Sequence, residues 1–119
     1  MKVVRVGTRR SLLARAQTAM VLENYKQVAS GYDFTEEVVL SSGDLKQGTE
    51  AASKGDKRDW IDKFEDRLSA GTLDLAVHCG KDVPCEIADG LAVCSILERA
   101  SAQDVFIGRL RPDGSRILF

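Results

Sequence analysis

Short β-rich runs alternate with helical periodicity along the chain. Residues 2–6, KVVRV, read as a first strand ending at Gly7. From Ser11 onward, Leu13, Ala16, Met20, Val21, Tyr25 and Val28 recur at three- and four-residue steps, which predicts a helix with these residues on one side, ending near Ser30-Gly31. Residues 36–41, EEVVLS, read as a second strand, and the polar, glycine-containing stretch 42–59 as a loop. Trp60, Ile61, Phe64 and Leu68 share a helical face and predict a second helix over about residues 59–70. TLDLAVH, 72–78, follows as a third strand. Asp89-Gly90 marks a turn before a fourth, LAVCSIL, and DVFIG, 104–108, reads as a fifth. This alternation predicts a single α/β sandwich domain over 1–119 with a mixed sheet.

Composition narrows the function classes. With 44% hydrophobic and 29% charged residues the chain is an ordinary globular domain. Its 17 basic and 18 acidic residues leave a formal charge of −1, so no global field favours nucleic acid or an anionic membrane. Any anion site must be local. No run reaches the roughly 18 apolar residues of a membrane span, and MKVVRVGTRR lacks the long apolar segment of a signal peptide, so a cytoplasmic location is expected. Cys79, Cys85 and Cys94 are spaced C-x5-C-x8-C, unlike a zinc site, and read as reduced thiols; no metal is expected, and Cys94 reads as a small core residue.

Two junctions carry candidate chemistry, because open α/β sheets bind ligands where loops leave the carboxyl ends of their strands. In GTRRS, 7–11, Gly7 permits a sharp turn, Ser11 caps the helix, and Arg9 and Arg10 stand beside a helix start whose free N–H groups attract anions. A guanidinium there grips a carboxylate through two parallel hydrogen bonds. A capped helix with two solvated arginines is the other reading. In LDLAVHCGKDVP, 73–84, an apolar strand leads directly into His78, Lys81 and Asp82. Lys81 and Asp82 alone read equally as a solvated surface pair. If strands one and three run parallel, both junctions open at one sheet edge, and basic groups and a carboxylate converge on one mouth.

These residues also carry a family resemblance. VRVGTRRSLLARAQT, SSGD, GTLDLAVHCGKDVP and GLAVCSILERASAQDVFI are similar, in order and spacing, to the N-terminal domain of porphobilinogen deaminase, also called hydroxymethylbilane synthase. The resemblance covers residues 3 to 108, with Glu98, Arg99 and Asp104 matching an E-R-x-x-x-x-D motif. It implies one lobe of a type II periplasmic-binding-protein-like fold. It also implies a transferase of tetrapyrrole (heme) biosynthesis that joins four porphobilinogen units, expelling ammonia at each addition, on a dipyrromethane cofactor. Loss of ammonia leaves an electron-poor azafulvene, whose cation a fixed carboxylate stabilises. By position in the K-D motif, Asp82 resembles that catalytic carboxylate. Arg9, Ser11 and Lys81 match residues that bind the cofactor or the acetate and propionate groups of the pyrroles, and Lys57 matches, across a one-residue gap, the lysine of a G-K-G-[LI]-F segment in which Trp60 replaces phenylalanine. A solvated loop lysine is the alternative for Lys57.

Departures from the family pattern are as informative. Cys79 and Gly80 stand where the family has serine and a bulky apolar residue, and Asp56-Lys57-Arg58-Asp59 replaces the glycine-rich loop sequence. The segment contributing further arginines and the motif carrying the cofactor cysteine do not occur in this sequence, so dipyrromethane is not expected to attach covalently to this chain, and the chain alone is expected to be incomplete for catalysis. A piece whose sheet is unfinished should expose an edge strand and self-associate. In 109–119, RLRPDGSRILF, a Pro-Asp-Gly turn precedes an apolar end that could fold back as an extra strand. Three function classes follow: the transferase domain, a non-catalytic module binding carboxylate-rich small molecules, and an oligomerising interaction domain. Neither nucleic acid nor membrane is an expected partner.

Overall fold

The computed structural model describes residues 1–46, 57–103 and Asp113. Its sheet is centred on β1 (Lys2–Thr8), flanked by β2 (Tyr32–Val38) and β3 (Leu75–Ala76). Both pairings are parallel, running from Lys2↔Tyr32 to Thr8↔Val38 on one side and through Val6↔Leu75 and Gly7↔Ala76 on the other. Parallel neighbours need long crossovers, and the chain provides them as α1 (Leu12–Val28) and α3 (Asp62–Ser69). Between β2 and α3 lie a one-turn helix, α2 (Ser42–Lys46), and a 3-10 turn at Lys57–Trp60.

β1 is exposed at Lys2 and Val3 and buried at Val6, Gly7 and Thr8, because helices cover both faces at its carboxyl end. On one face, the Thr18 hydroxyl of α1 lies 2.8 Å from that of Thr8. On the other, a Cβ on Gly7 would sit 2.8 Å from Leu73 Cδ1 and 3.1 Å from the Phe64 ring. A larger residue at this position would push Phe64 of α3 and Leu73 back from the strand. Phe64, Leu73 and Val39 form the core of that face, with Leu68 and Ala76 packed against them. Asp74 extends the β3 pairing: its N–H donates to the Arg5 carbonyl at 3.0 Å, and its carboxylate takes the Arg5 Nε–H at 2.9 Å. Those Arg5 hydrogen bonds, backbone N–H included, lower the Asp74 carboxyl to about 2.

Several expectations need correction. All pairings among the described residues are parallel, so the sheet is not mixed there. β2 begins at Tyr32, earlier than the apolar EEVVLS, because pairing with the whole of β1 sets its length. On α1 the buried residues are Thr18 and Leu22, while Leu13, Met20 and Val28 of the apolar series are 69%, 58% and 81% exposed. Part of the loop expected over 42–59 is helical, at α2 and at the 3-10 turn. The fourth strand is absent: residues 91–97 have no regular structure, and Val93 and Ile96 are exposed, with no strand beside them among the described residues. Cys94 is accordingly exposed and not a core residue. The Asp89-Gly90 turn is present, with Gly90 at φ +84° and the Leu91 N–H on the Ala88 carbonyl at 3.1 Å. The fifth strand at 104–108 and the fold-back of 109–119, apart from Asp113, lie outside the described residues. An apolar hollow of about 440 Å³, lined by Val4, Tyr25, Val28, Phe34 and Leu75 among others, opens beside the edge strand β3.

His78 leaves β3 and meets the core edge-on, its ring 4.6 Å from that of Phe64 at 76°. Burial, reinforced by the charge of Arg9, lowers its pKa below 6.5, against the opposing pull of Asp82 and Glu65. The folded state therefore binds the proton less well than the unfolded chain. Stability from this group is complete above pH 6.5 and is lost as pH falls from there through the folded pKa. As His78 is the single histidine, its NMR titration should give one midpoint below that of the urea-unfolded chain. Phe64→Ala should cost about 3–5 kcal/mol in urea unfolding, since Phe64 has no exposure and its removal leaves a cavity against Gly7.

Candidate functional site

The parallel alignment of β1 and β3 brings their carboxyl ends together, and a cavity of about 370 Å³ opens there. From the β1 side it is lined by Arg9, Ser11 and the first turns of α1 at Leu13, Ala14 and Gln17. Val77, His78, Cys79, Lys81 and Asp82 enter from the β3 side, and Trp60 closes a third wall. Arg9, Ser11, Lys81 and Asp82 thus share one mouth. Arg10 is exposed and does not line it, and the Lys57 side chain lies outside the described residues, although its backbone opens the turn that carries Trp60.

Each wall is positioned by local chemistry. Ser11 is the N-cap of α1, its Oγ accepting the Ala14 N–H at 3.2 Å, which leaves the hydroxyl proton available to an anion. Past β3, residues Gly80–Asp82 form a 3-10 turn closed by the Asp82 N–H on the Cys79 carbonyl at 2.9 Å. The following segment is tied to α3 by Glu65, which accepts the Ala88 N–H at 3.1 Å and lies 3.4 Å from Arg58. Asp82 is half-buried, and among the described residues its carboxylate is in no ion pair or side-chain hydrogen bond. Lys81 is exposed beside it. Cys79 is half-buried, and all three cysteines are free thiols.

Arg9 is held from behind. Its Nη2–H donates to Asp44 Oδ1 at 3.0 Å, and its guanidinium carbon lies 4.1 Å from the centre of the Trp60 ring. Asp44 is 5% exposed, and it also accepts the Ser41 N–H at 3.1 Å and the Ser41 Oγ–H at 2.7 Å. Burial pushes the Asp44 carboxyl up, but the Arg9 and Ser41 hydrogen bonds and the Arg9 charge outweigh it and hold the pKa below the usual carboxylate value. The Arg9 Nε–H is buried without a partner among the described residues.

SSGD accounts for this arrangement residue by residue. Ser41 and Asp44 form a reciprocal box, the Asp44 N–H returning to Ser41 Oγ at 3.2 Å. Ser42 bonds through its backbone N–H and its hydroxyl to Asp62 at the start of α3. At Gly43 a Cβ would stand 2.6 Å from Trp60, so the indole lies flat against bare backbone. A loop over 42–59 gives Asp44 no partner, and a helical face over about 59–70 does not place Trp60 against Arg9; both contacts differ from expectation. The S-x-x-D spacing of a helix-start box was the available signal.

Residues 4–117 match the sequence model of the family described as "Porphobilinogen deaminase, dipyromethane cofactor binding domain". The porphobilinogen deaminase of Deinococcus deserti is 43% identical over 92% of this chain, that of Deinococcus radiodurans 38% over 98%, and that of Geobacillus kaustophilus 32% over 99%. This chain spans only 36%, 41% and 37% of those relatives' lengths. With nearly every residue from β1 onward inside the match, the chain belongs to the porphobilinogen deaminase family.

Proposed function

We propose that this chain forms the lobe of a porphobilinogen deaminase that binds pyrrole carboxylates and supplies the carboxylate for chemistry at the pyrrole ring. The observation that supports it most is the shared mouth: Arg9, Ser11 and Lys81 line the same cavity as Asp82. The donor set fits dipyrromethane, since a guanidinium, an ammonium and a hydroxyl suit its acetate and propionate groups. When bound, the cofactor supplies the pyrrole end to which new units are joined. Arg9 and Lys81 orient the acidic side chains, Arg9 by charge-assisted hydrogen bonds from a fixed plane and Lys81 as a mobile point charge. The Ser11 hydroxyl donates to a carboxylate at the α1 start. Asp82 stabilises the positive charge that develops on the pyrrole of porphobilinogen as ammonia leaves, and holds the proton released from the ring. Lys57 is added to this set on the family resemblance alone, its side chain lying outside the described residues.

In this reading the three parallel strands belong to a type II periplasmic-binding-protein-like lobe, whose β3 edge, unpaired among the described residues, and adjoining apolar hollow take up a further chain segment or a second copy. Light scattering on the isolated chain should then show dimers or larger species, and a strict monomer would remove self-association from the proposal.

Joined to the remaining two thirds of the D. deserti relative, the chain should release ammonia from porphobilinogen and yield bilane. Asp82→Ala in that protein should lower turnover by roughly 100-fold or more with the far-UV spectrum unchanged. Near-normal turnover would remove Asp82 from the mechanism, and failure of the parent to bind porphobilinogen would sink the functional reading.

A further inference from the structure

Arg9 faces two demands. It must present a cation to the cavity, yet a long side chain left free would lose rotamer freedom whenever a ligand docked. Asp44 lies outside the cavity lining, almost wholly buried, and fixes one guanidinium nitrogen while Trp60 covers the guanidinium face. Ser41 in turn fixes Asp44 through two donors, and Gly43 fixes the plane of Trp60. Every part of this support is itself held.

We propose that Asp44 is a positioning residue for Arg9: without touching ligand, the Ser41–Asp44 box and the Trp60 ring pre-set the guanidinium for a carboxylate. The inference rests on the reading of the cavity as a carboxylate site and extends it to residues behind the wall. It makes a prediction opposite in sign to simple electrostatics. Asp44→Asn deletes a negative charge beside the cavity, which by Coulomb attraction alone would tighten anion binding. Loss of pre-organisation weakens it instead, by roughly two- to tenfold for one freed side chain.

The test uses this chain and porphobilinogen as probe, with NMR of the Arg9 side chain read first without ligand. In the parent, Arg9 protons should be shifted upfield by the indole 4.1 Å away, and the buried Nε–H should exchange slowly. In Asp44→Asn, with the His78 and Phe64 signals unchanged, the upfield shift should collapse, Nε–H exchange should accelerate, and porphobilinogen should bind more weakly. Ser41→Ala, which keeps both charges and removes only the hydroxyl that orients Asp44, should loosen Arg9 in the same direction and decides the matter if Asp44→Asn does not fold. Unchanged Arg9 signals in either folded variant, or tighter porphobilinogen binding by Asp44→Asn, would overturn the proposal. A parent that holds Arg9 as described but does not bind porphobilinogen would refute the functional reading while leaving the positioning of Arg9 upheld.

Discussion

The whole site depends on the parallel pairing of β1 with β3, and that pairing depends on a residue with no side chain. A Cβ on Gly7 would press on Leu73 Cδ1 at 2.8 Å and on the Phe64 ring at 3.1 Å, and both side chains would have to move back from the strand. With the face of β1 open at that point, α3 seats its phenylalanine against the strand and delivers β3 alongside, in register from Val6↔Leu75. The consequence is geometric: both strands end on the same side, so the loop beginning at Arg9 and the turn carrying Lys81 and Asp82 have one space to open into. An antiparallel β3 would have carried Asp82 to the opposite end of the sheet.

Around that space the polar residues fall into two layers. The inner layer lines the cavity, and the outer layer, Ser41, Asp44, Asp62 and Glu65, holds it in place through hydrogen bonds to backbone and side chains. Asp44 is the most deeply buried carboxylate of that outer layer and keeps its charge only because three donors converge on it. Removing any donor would leave a buried charge undersatisfied, a larger penalty than the loss of one surface pair. The exposed Arg5–Asp74 pair, on the same sheet, is of the weaker kind.

Elements that announce themselves through strong periodicity or a helix start were legible from the residues alone. α1 begins at its Ser11 cap and α3 carries the buried Phe64 of the expected helical face. The convergence of Arg9, Ser11, Lys81 and Asp82 followed from strand order and the rule of carboxyl-end loops. Two kinds of feature were not legible. Thr18 faces the core of α1 although its neighbours Leu13 and Met20 are more apolar, because a hydroxyl there finds Thr8 across the interface; periodicity counts hydrophobes and is blind to such a pair. LAVCSIL has the composition of a strand, but a ladder needs a neighbour, and none stands beside it among the described residues.

The charge arrangement at the mouth has its own logic. Cations and a carboxylate placed in one cavity would tend to neutralise each other and leave neither for a ligand. Here Arg9 finds its anion behind the wall, at Asp44, and is covered by an aromatic face that adds attraction without adding charge. Lys81 and Asp82 are adjacent in sequence on a short 3-10 turn, a geometry that spreads successive side chains around the helix axis instead of stacking them. Asp82 therefore stays out of any ion pair among the described residues while sharing a cavity with two cations. Satisfying the arginine from the protein side is what keeps the second carboxylate available on the solvent side.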